Sequence, residues 1–243
     1  MTVGGIMAGG FGTRLQGAHG SKPLMRVGGH SLLSHVLDQF CGAGVDRVIV
    51  ETRETDHELL DVIRAGRWPG LQLDVVHAPE RMGTGFSVRE ILGAAGTEPV
   101  LLSTVDTIAP PGAYAQLRKF AEQNSDALDI AVLATTFIHD ETPIWVHVGP
   151  DTRTVTDFGK LIDPAPLCFG NVRWLSAVAV EACLSQPRHR PTAEAKRDTE
   201  LMRDILAMLP GRVAQLTIDP IFDVDTPDDA LLAEQWLNSH RGG

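Results

Sequence analysis

Thr2-Val3-Gly4-Gly5-Ile6-Met7-Ala8-Gly9-Gly10-Phe11-Gly12-Thr13-Arg14-Leu15, with Lys22-Pro23-Leu24 close behind, opens the chain. Thr2 to Met7 reads as a strand that runs straight into glycines. Glycines in that position let backbone N–H groups approach phosphate oxygens with no Cβ in the way. Arg14, through a planar fork, and Lys22, as a point charge, are placed to neutralise a phosphate chain. Other readings compete. A glycine turn with solvated basic residues is the plainest. A dinucleotide loop would begin with Gly10-Phe11-Gly12, but Leu15 stands at its third glycine position and Glu51 lies too far along for its acidic residue. A P-loop requires Gly-Lys-Ser/Thr, which does not follow.

Outward from this loop, short β-rich runs alternate with helical patterns. Ser31 to Gly42 reads as a helix capped by Ser31, with Leu32, Leu33, Val36, Leu37 and Phe40 on one face and Gly42 and Gly44 as stops. Arg47 to Glu51 is the next strand. Thr55 and Glu58 have capping-box spacing ahead of Leu59, Leu60 and Ile63. Leu71 to His77 reads as a strand, Phe86 to Ala94 as a helix and Val100 to Thr104 as a strand, its continuous apolar run suited to a sheet covered on both faces. The expected fold class is therefore α/β: a doubly wound, mostly parallel sheet with a Rossmann-like half and ligands at the carboxyl ends of its strands. The second half reads as a β-rich insertion, with strands at Leu128 to Thr136, Ile144 to Val148 and Thr154 to Phe158. Helices follow around Trp174 to Leu184 and Thr199 to Leu209, then a strand at Val213 to Ile218. A last helix has Thr226 as cap and Pro227 at its first position.

At 243 residues the chain can bury a sizeable core, and 43% hydrophobic with 21% charged residues is ordinary for a globular protein. A formal net charge of −10 argues against a nucleic-acid partner, which needs a basic face. The longest apolar runs fall short of a membrane span, the N-terminus lacks the basic leader of a signal peptide, and the three cysteines (Cys41, Cys168, Cys183) are too few and too scattered for a disulfide framework. A cytoplasmic location is expected. The histidines show no metal-ligand spacing, so no zinc site is expected. Trp174 and Trp236 sit in apolar patterns that suit core packing.

The glycine pair, Thr13-Arg14 and Lys22-Pro23 together resemble the signature of the sugar-1-phosphate nucleotidyltransferases, in a short form without their C-terminal β-helix. The resemblance implies a GT-A-like α/β fold and one nucleotidyltransferase domain over 1–243, with a nucleotide-binding half at 1–110 and an acceptor-binding half at 111–243. It continues at Gly83-Thr84-Gly85, which resembles the second nucleotide loop of that family. Carried over residue by residue, it implies nucleotide contacts at Ala8, Gly9, Gly10, Gly12, Thr13, Arg14, Lys22, Gly83, Thr84 and Thr104, with Ala78 to Met82 near the base. It implies metal ligands at Asp106, Asp223 and Asp225, and acceptor contacts at Lys160 and Asn171. Mg²⁺ suits such carboxylates, because it takes oxygen ligands and commonly binds one or two carboxylates plus substrate phosphates. Asp223 and Asp225, two apart on an extended segment, share a side.

The implied reaction is in-line attack of an acceptor phosphate oxygen on the α-phosphate of a nucleoside triphosphate, releasing pyrophosphate and forming a nucleoside-diphosphate sugar. A phosphate monoester is already ionised, so positioning and charge stabilisation suffice. Arg14 then steadies the pyrophosphate and Lys22 the α-phosphate region. Gly159 stands where a glutamate is usual in Asp157-Phe158-Gly159-Lys160. Phe169-Gly170-Asn171 is similar to a sugar-covering loop without its tyrosine, and Val105 replaces a glycine, so the acceptor is left open. Alternatives are a guanylyltransferase acting on a cofactor precursor such as molybdopterin, a glycosyltransferase, and a non-catalytic nucleotide-binding domain.

Overall fold

A computed structural model of the chain describes residues 1–10, 21–66, 68–77, 83–139, 142–160, 162–186, 203 and 206–240. Its elements run β1 (Val3–Met7), β2 (Arg26–Val27), β3 (His30–Ser31), α1 (Leu32–Gly42), β4 (Arg47–Thr52), α2 (His57–Arg64), β5 (Gln72–His77), α3 (Thr84–Ala95), β6 (Val100–Thr104), β7 (Thr107–Ile108), α4 (Ala113–Gln123), β8 (Ile130–Thr135), β9 (Trp145–Val148), β10 (Val155–Gly159), β11 (Cys168–Leu175), α5 (Ala177–Ser185), β12 (Val213–Thr217), β13 (Phe222–Asp223) and α6 (Pro227–Ser239). The main sheet has the order β10-β9-β11-β6-β1-β4-β5, with β8 on β11 and β12 on β8. It is a mixed sheet. β6, β1, β4 and β5 are parallel, whereas β11 runs antiparallel to β6, β8 and β9.

The apolar runs are buried on both faces, as their lack of alternation predicts. Val48, Val50 and Leu101 face one layer with Phe40 of α1, Leu59 of α2 and Tyr114 of α4, while Ile49 and Leu102 face Ile91 of α3 and Val180 of α5. β1 can sit between these layers because Gly4 and Gly5 have no side chains: a Cβ on Gly4 would come within 2.7 Å of Val48 and one on Gly5 within 2.6 Å of Ile91. A third apolar cluster joins Val27, Leu32, Ile108, Phe222, Val224 and Ala233, and so fastens α6 beside β2, β7 and β13. Each fully buried Leu, Ile or Phe contributes about 1.5–3 kcal/mol relative to exposure. Among the described residues, no helix is long and apolar enough to cross a membrane.

Most elements fall where the pattern predicts them. Ser31 caps α1 by accepting from the Ser34 N–H at 3.1 Å. Thr226 caps α6 in a full capping box with Asp229, and Pro227 opens the helix. Three expectations are corrected. The cap of α2 is Asp56, not Thr55, and it accepts from the Leu59 N–H. Trp174 and Leu175 end strand β11 instead of starting a helix. Both are paired on two sides, with β6 and β8, and the helix begins only after Ser176, which caps it. An apolar run of this kind satisfies helical and strand periodicity alike, so the neighbouring strands decide. Phe169-Gly170-Asn171 likewise lies within β11 rather than in a loop. Helix α4 starts at Gly112, φ 79°, directly after two prolines and with no side-chain cap, so it lacks the usual start signal. The helix expected over Thr199 to Leu209 lies largely outside the described residues.

Candidate active site

The carboxyl end of β1 leads into Ala8, Gly9 and Gly10. The Ala8 N–H donates to the Glu51 carbonyl at 2.8 Å, and the Gly9 N–H donates to the Glu51 carboxylate at 3.3 Å. A Cβ on Gly9 would collide with that carboxylate, so only glycine lets the loop lie on it. Glu51 is 2% exposed. Burial pushes its carboxyl upward in pKa, against hydrogen bonds from Gly9 and from Ser87 in the first turn of α3. It thereby joins the first glycine loop to the Gly83–Thr84 segment, where Gly83 (φ 80°) is the N-cap of α3. Sequence reasoning missed this role, since Glu51 entered only as a residue out of register for a dinucleotide site. A buried acid at a strand end beside a glycine loop was the available signal. Gly12, Thr13, Arg14 and the base-side stretch Ala78 to Met82 lie outside the described residues.

Lys22 sits in a single 3-10 turn, Lys22–Leu24, with Pro23 presetting its backbone. The turn is anchored from below, where the Ser21 hydroxyl donates to Asp56 at 2.7 Å, the same carboxylate that caps α2. Lys22 Nζ donates to Asp106 Oδ2 at 2.6 Å and to Asp225 Oδ1 at 2.7 Å. Burial alone would lower the ammonium's pKa, but the two carboxylates outweigh it and the pKa is raised, so Lys22 is charged. Lys22 is thus held between two of the carboxylates.

The carboxylates themselves come together through strand pairing. Asp106 occupies the turn between β6 and β7, closed by a 2.8 Å hydrogen bond between the Thr104 and Thr107 hydroxyls. β7 pairs antiparallel with β13, setting Asp223 opposite Thr107, and the Val224 N–H donates to the Asp106 carbonyl at 3.0 Å. Asp225 is fixed by its N–H donating to Asp229 in the capping box. One carboxylate oxygen from each of Asp106, Asp223 and Asp225 lies within 4.8 Å of the others. Asp106 Oδ1 is buried and has no hydrogen-bond partner. Three carboxylates against one ammonium leave an excess negative charge, and an unsatisfied buried carboxylate oxygen calls for a cation. The residues therefore fit a hard, oxygen-seeking metal ion.

Of the three aspartates, Asp223 lines a pocket whose walls include Lys160 and Asn171. Lys160 extends from the end of β10, its Nζ 3.2 Å from the Thr142 hydroxyl. Asn171 adopts φ 58° where the register of β11 on β8 breaks between Phe169 and Arg173. Such a bulge re-aims a side chain, and asparagine is among the few residues that accept that backbone. The structure thus gathers Lys22 with Asp106, Asp223 and Asp225, and Asp223 also lines the pocket that holds Lys160 and Asn171.

The N-acetylmuramate alpha-1-phosphate uridylyltransferase of Caulobacter vibrioides is 30% identical over 112 residues, covering 42% of this chain and 45% of that protein. The chain thus spans under half the length of this curated relative. A UDP-glucose pyrophosphorylase complexed with UDP-glucose superposes with a TM-score of 0.80 at 14% identity, over 99% of this chain and all of the other. The inositol-1-phosphate CTP transferase from T. maritima superposes with a TM-score of 0.78 at 18% identity, over 100% of this chain and 97% of that one. These likenesses establish the doubly wound nucleotidyltransferase fold. Residues 4–207 match the model of the MobA-like NTP transferase domain, a match that includes Lys22 and Asp106 and stops before Asp223 and Asp225. The chain belongs to the family of MobA-like NTP transferase domains.

Proposed function

We propose that the chain transfers a nucleoside monophosphate from a nucleoside triphosphate to a sugar 1-phosphate, releasing pyrophosphate and forming a nucleoside-diphosphate sugar. The observation that carries this reading is the cluster of Asp106, Asp223 and Asp225 around Lys22, open toward a pocket walled by Lys160 and Asn171. The three proteins compared are named a uridylyltransferase of N-acetylmuramate α-1-phosphate, a UDP-glucose pyrophosphorylase and an inositol-1-phosphate CTP transferase, which supports this reading. A transferase acting on a cofactor precursor remains the second reading, favoured by the family model. The chain's work is expected in the cytoplasm, as one domain with the nucleotide half at 1–110 and the acceptor half at 111–243.

Asp106, Asp223 and Asp225 would hold Mg²⁺, which supplies charge neutralisation at the phosphates when bound. The backbone of Ala8, Gly9 and Gly10, supported by Glu51, would receive the nucleotide together with Gly83 and Thr84 at the start of α3 and Thr104 at the end of β6. Lys22 keeps the carboxylates gathered and adds positive charge beside the α-phosphate. Arg14 steadies the pyrophosphate as it leaves. Lys160 and Asn171 orient the acceptor phosphate for in-line attack. Its oxygen forms the new bond to the α-phosphorus as the bond to pyrophosphate breaks, and no side chain has to remove a proton.

The test is pyrophosphate release across a grid of five triphosphates and a panel of sugar 1-phosphates, with Mg²⁺ and with chelator. Release in one cell of the grid, abolished by chelator, is the expected outcome. Triphosphate binding with silence for every sugar phosphate would move the acceptor outside the sugars, and absence of triphosphate binding would remove the proposal altogether.

A further inference from the structure

Resting on the reading of the carboxylate cluster as a metal site, the packing of β6 shows how Asp106 is held. Leu101, Ser103 and Val105 alternate along β6 and the residue after it, and so share the side that packs on α1 and α4. Ser103, fully buried, is the polar member of that face, and it meets Tyr114, the only tyrosine of the chain. Tyr114 is also fully buried and packs edge-on against Phe40 of α1, ring centroids 5.3 Å apart. Gln39 ties down the same corner, its amide donating to the Ala109 and Pro110 carbonyls at 3.1 and 2.8 Å just ahead of α4. The phenol is therefore a fixed post on the helix layer.

The hydrogen bonds run one way. The Ser103 hydroxyl donates its single proton to the Thr104 carbonyl at 2.8 Å, so the Tyr114 hydroxyl, 2.5 Å away, donates to Ser103. Burial raises the phenol's pKa against the Ser103 hydrogen bond, and the charge of Asp106 adds to the rise, so the proton stays on Tyr114. Thr104 is the last residue of β6, and its own hydroxyl pairs with Thr107 across the turn that carries Asp106. Phenylalanine and alanine would fill the same space with no polar group to bury. Packing does not call for the two hydroxyls; what they add is a hold on one carbonyl, two residues before Asp106. Asp106 has Lys22 on one oxygen and no hydrogen-bond partner on the other, so the backbone of the turn decides where that second oxygen lies. We propose that Tyr114 and Ser103 are positioning residues: through the Thr104 carbonyl they fix the β6–β7 turn and hold Asp106 at the spacing from Asp223 and Asp225 that one divalent cation requires.

The experiment titrates Mg²⁺ alone into the free protein by calorimetry, beside thermal melts without the ion, for the parent, Tyr114→Phe, Ser103→Ala and the double variant. Each single variant is expected to raise the Kd for Mg²⁺ about 3–10-fold, as for loss of one hydrogen bond. The double variant should go no further than the larger of the two, because both hydroxyls act through one carbonyl. A role in the core alone lowers Tm and leaves that Kd where it was, so a Kd equal to the parent's in both single variants overturns the proposal, and fully additive effects overturn the shared route through Thr104. If one single variant fails to fold, the other carries the test. Asp106→Asn is the control: weakened Mg²⁺ binding there with none in Tyr114→Phe or Ser103→Ala removes this proposal alone, whereas no uptake of Mg²⁺ by the parent, or uptake indifferent to Asp106→Asn, removes the metal reading and this proposal with it.

Discussion

The two halves of the sheet meet at β6, and they hold their functional groups by different means. On the β1 side, the groups proposed to receive a nucleotide belong to short contiguous segments: a strand, its glycines, a lysine turn, a helix N-terminus. On the β11 side, Lys160 and Asn171 are set by antiparallel pairing across three strands and by one bulge. Between them stands the carboxylate cluster, which belongs to both, since Asp106 follows the parallel strand β6 and Asp225 precedes helix α6. On the proposed assignment, the contrast teaches that groups for phosphates, which are alike in every triphosphate, can be set by local chain geometry, whereas groups for the acceptor are set by tertiary pairing. Substitutions should separate the two.

The largest effect is expected at the junction. Asp106→Asn keeps the shape and removes the charge, and a fall in kcat/KM of about 10²–10³ is expected for loss of one well-placed charge. Steady-state pyrophosphate release with saturating Mg²⁺ measures it. Near-normal turnover would remove Asp106 from the metal site and dissolve the junction on which the comparison turns.

Lys22→Met comes next, and it separates catalysis from cohesion. The side chains of Lys22, Asp106 and Asp225 are 7%, 18% and 26% exposed, so the pair is largely shielded from solvent screening. Leaving such carboxylates without their ammonium costs about 3 kcal/mol, or roughly 6–12 °C in Tm for a chain of this size. Because a cation stabilises whatever state gathers the carboxylates, added Mg²⁺ should recover much of the loss in the variant and little in the parent. Thermal melts with and without the ion give the answer, and equal recovery in both proteins would mean that Lys22 does not oppose carboxylate repulsion.

The same division explains what was legible in the residues. Gly9, Gly10, Lys22, Gly83 and Asp106 could be picked out because each sits in a short motif whose chemistry is local, and β1, α1, β4 and β6 because apolar periodicity needs no partner. Asp223 and Asp225 stood out as candidate oxygen ligands, but their meeting with Asp106 depends on the β7–β13 pairing of two-residue strands that no local pattern marks. β11 was missed, with Phe169 to Asn171 read as a loop and Trp174 and Leu175 as the start of a helix, because that apolar run suits either element until β6 and β8 are beside it. Glu51 was passed over because its partner, the Gly9 N–H, comes from the loop after β1, 42 residues away in the chain.

Glu51 sharpens the nucleotide side of the comparison. Burial raises its carboxyl pKa, so the folded chain binds that proton more readily than the unfolded one. Its stabilising contribution is complete below the ordinary carboxylate range and is lost as pH rises through the raised value. Glu51→Gln keeps an acceptor for the Gly9 N–H and cannot ionise. Its Tm is expected to exceed the parent's at pH 8, with the two converging near pH 4, and the KM for triphosphate should stay close to normal. Glu51→Ala, which leaves the loop unsupported, should raise that KM several-fold with less change in kcat. A Gln variant no more stable than its parent at pH 8 would place Glu51 as an ordinary ionised acceptor.

The smallest effect lies across the sheet, where backbone and side chain can be told apart at one position. Asn171 at φ 58° occupies a region that disfavours alanine by roughly 1–2 kcal/mol and that glycine enters freely. Asn171→Ala should therefore lower stability by about that amount, and Asn171→Gly by little. If the bulge exists to aim the amide into the pocket, both variants lose the same acceptor contact, and each should raise the acceptor KM by a similar factor, about 3–10-fold for one hydrogen bond near 1 kcal/mol. The triphosphate KM should be unaffected in either. A KM change that tracks stability, present in the alanine variant and absent in the glycine variant, would assign Asn171 to the turn of the backbone alone, and would leave the acceptor phosphate to Lys160.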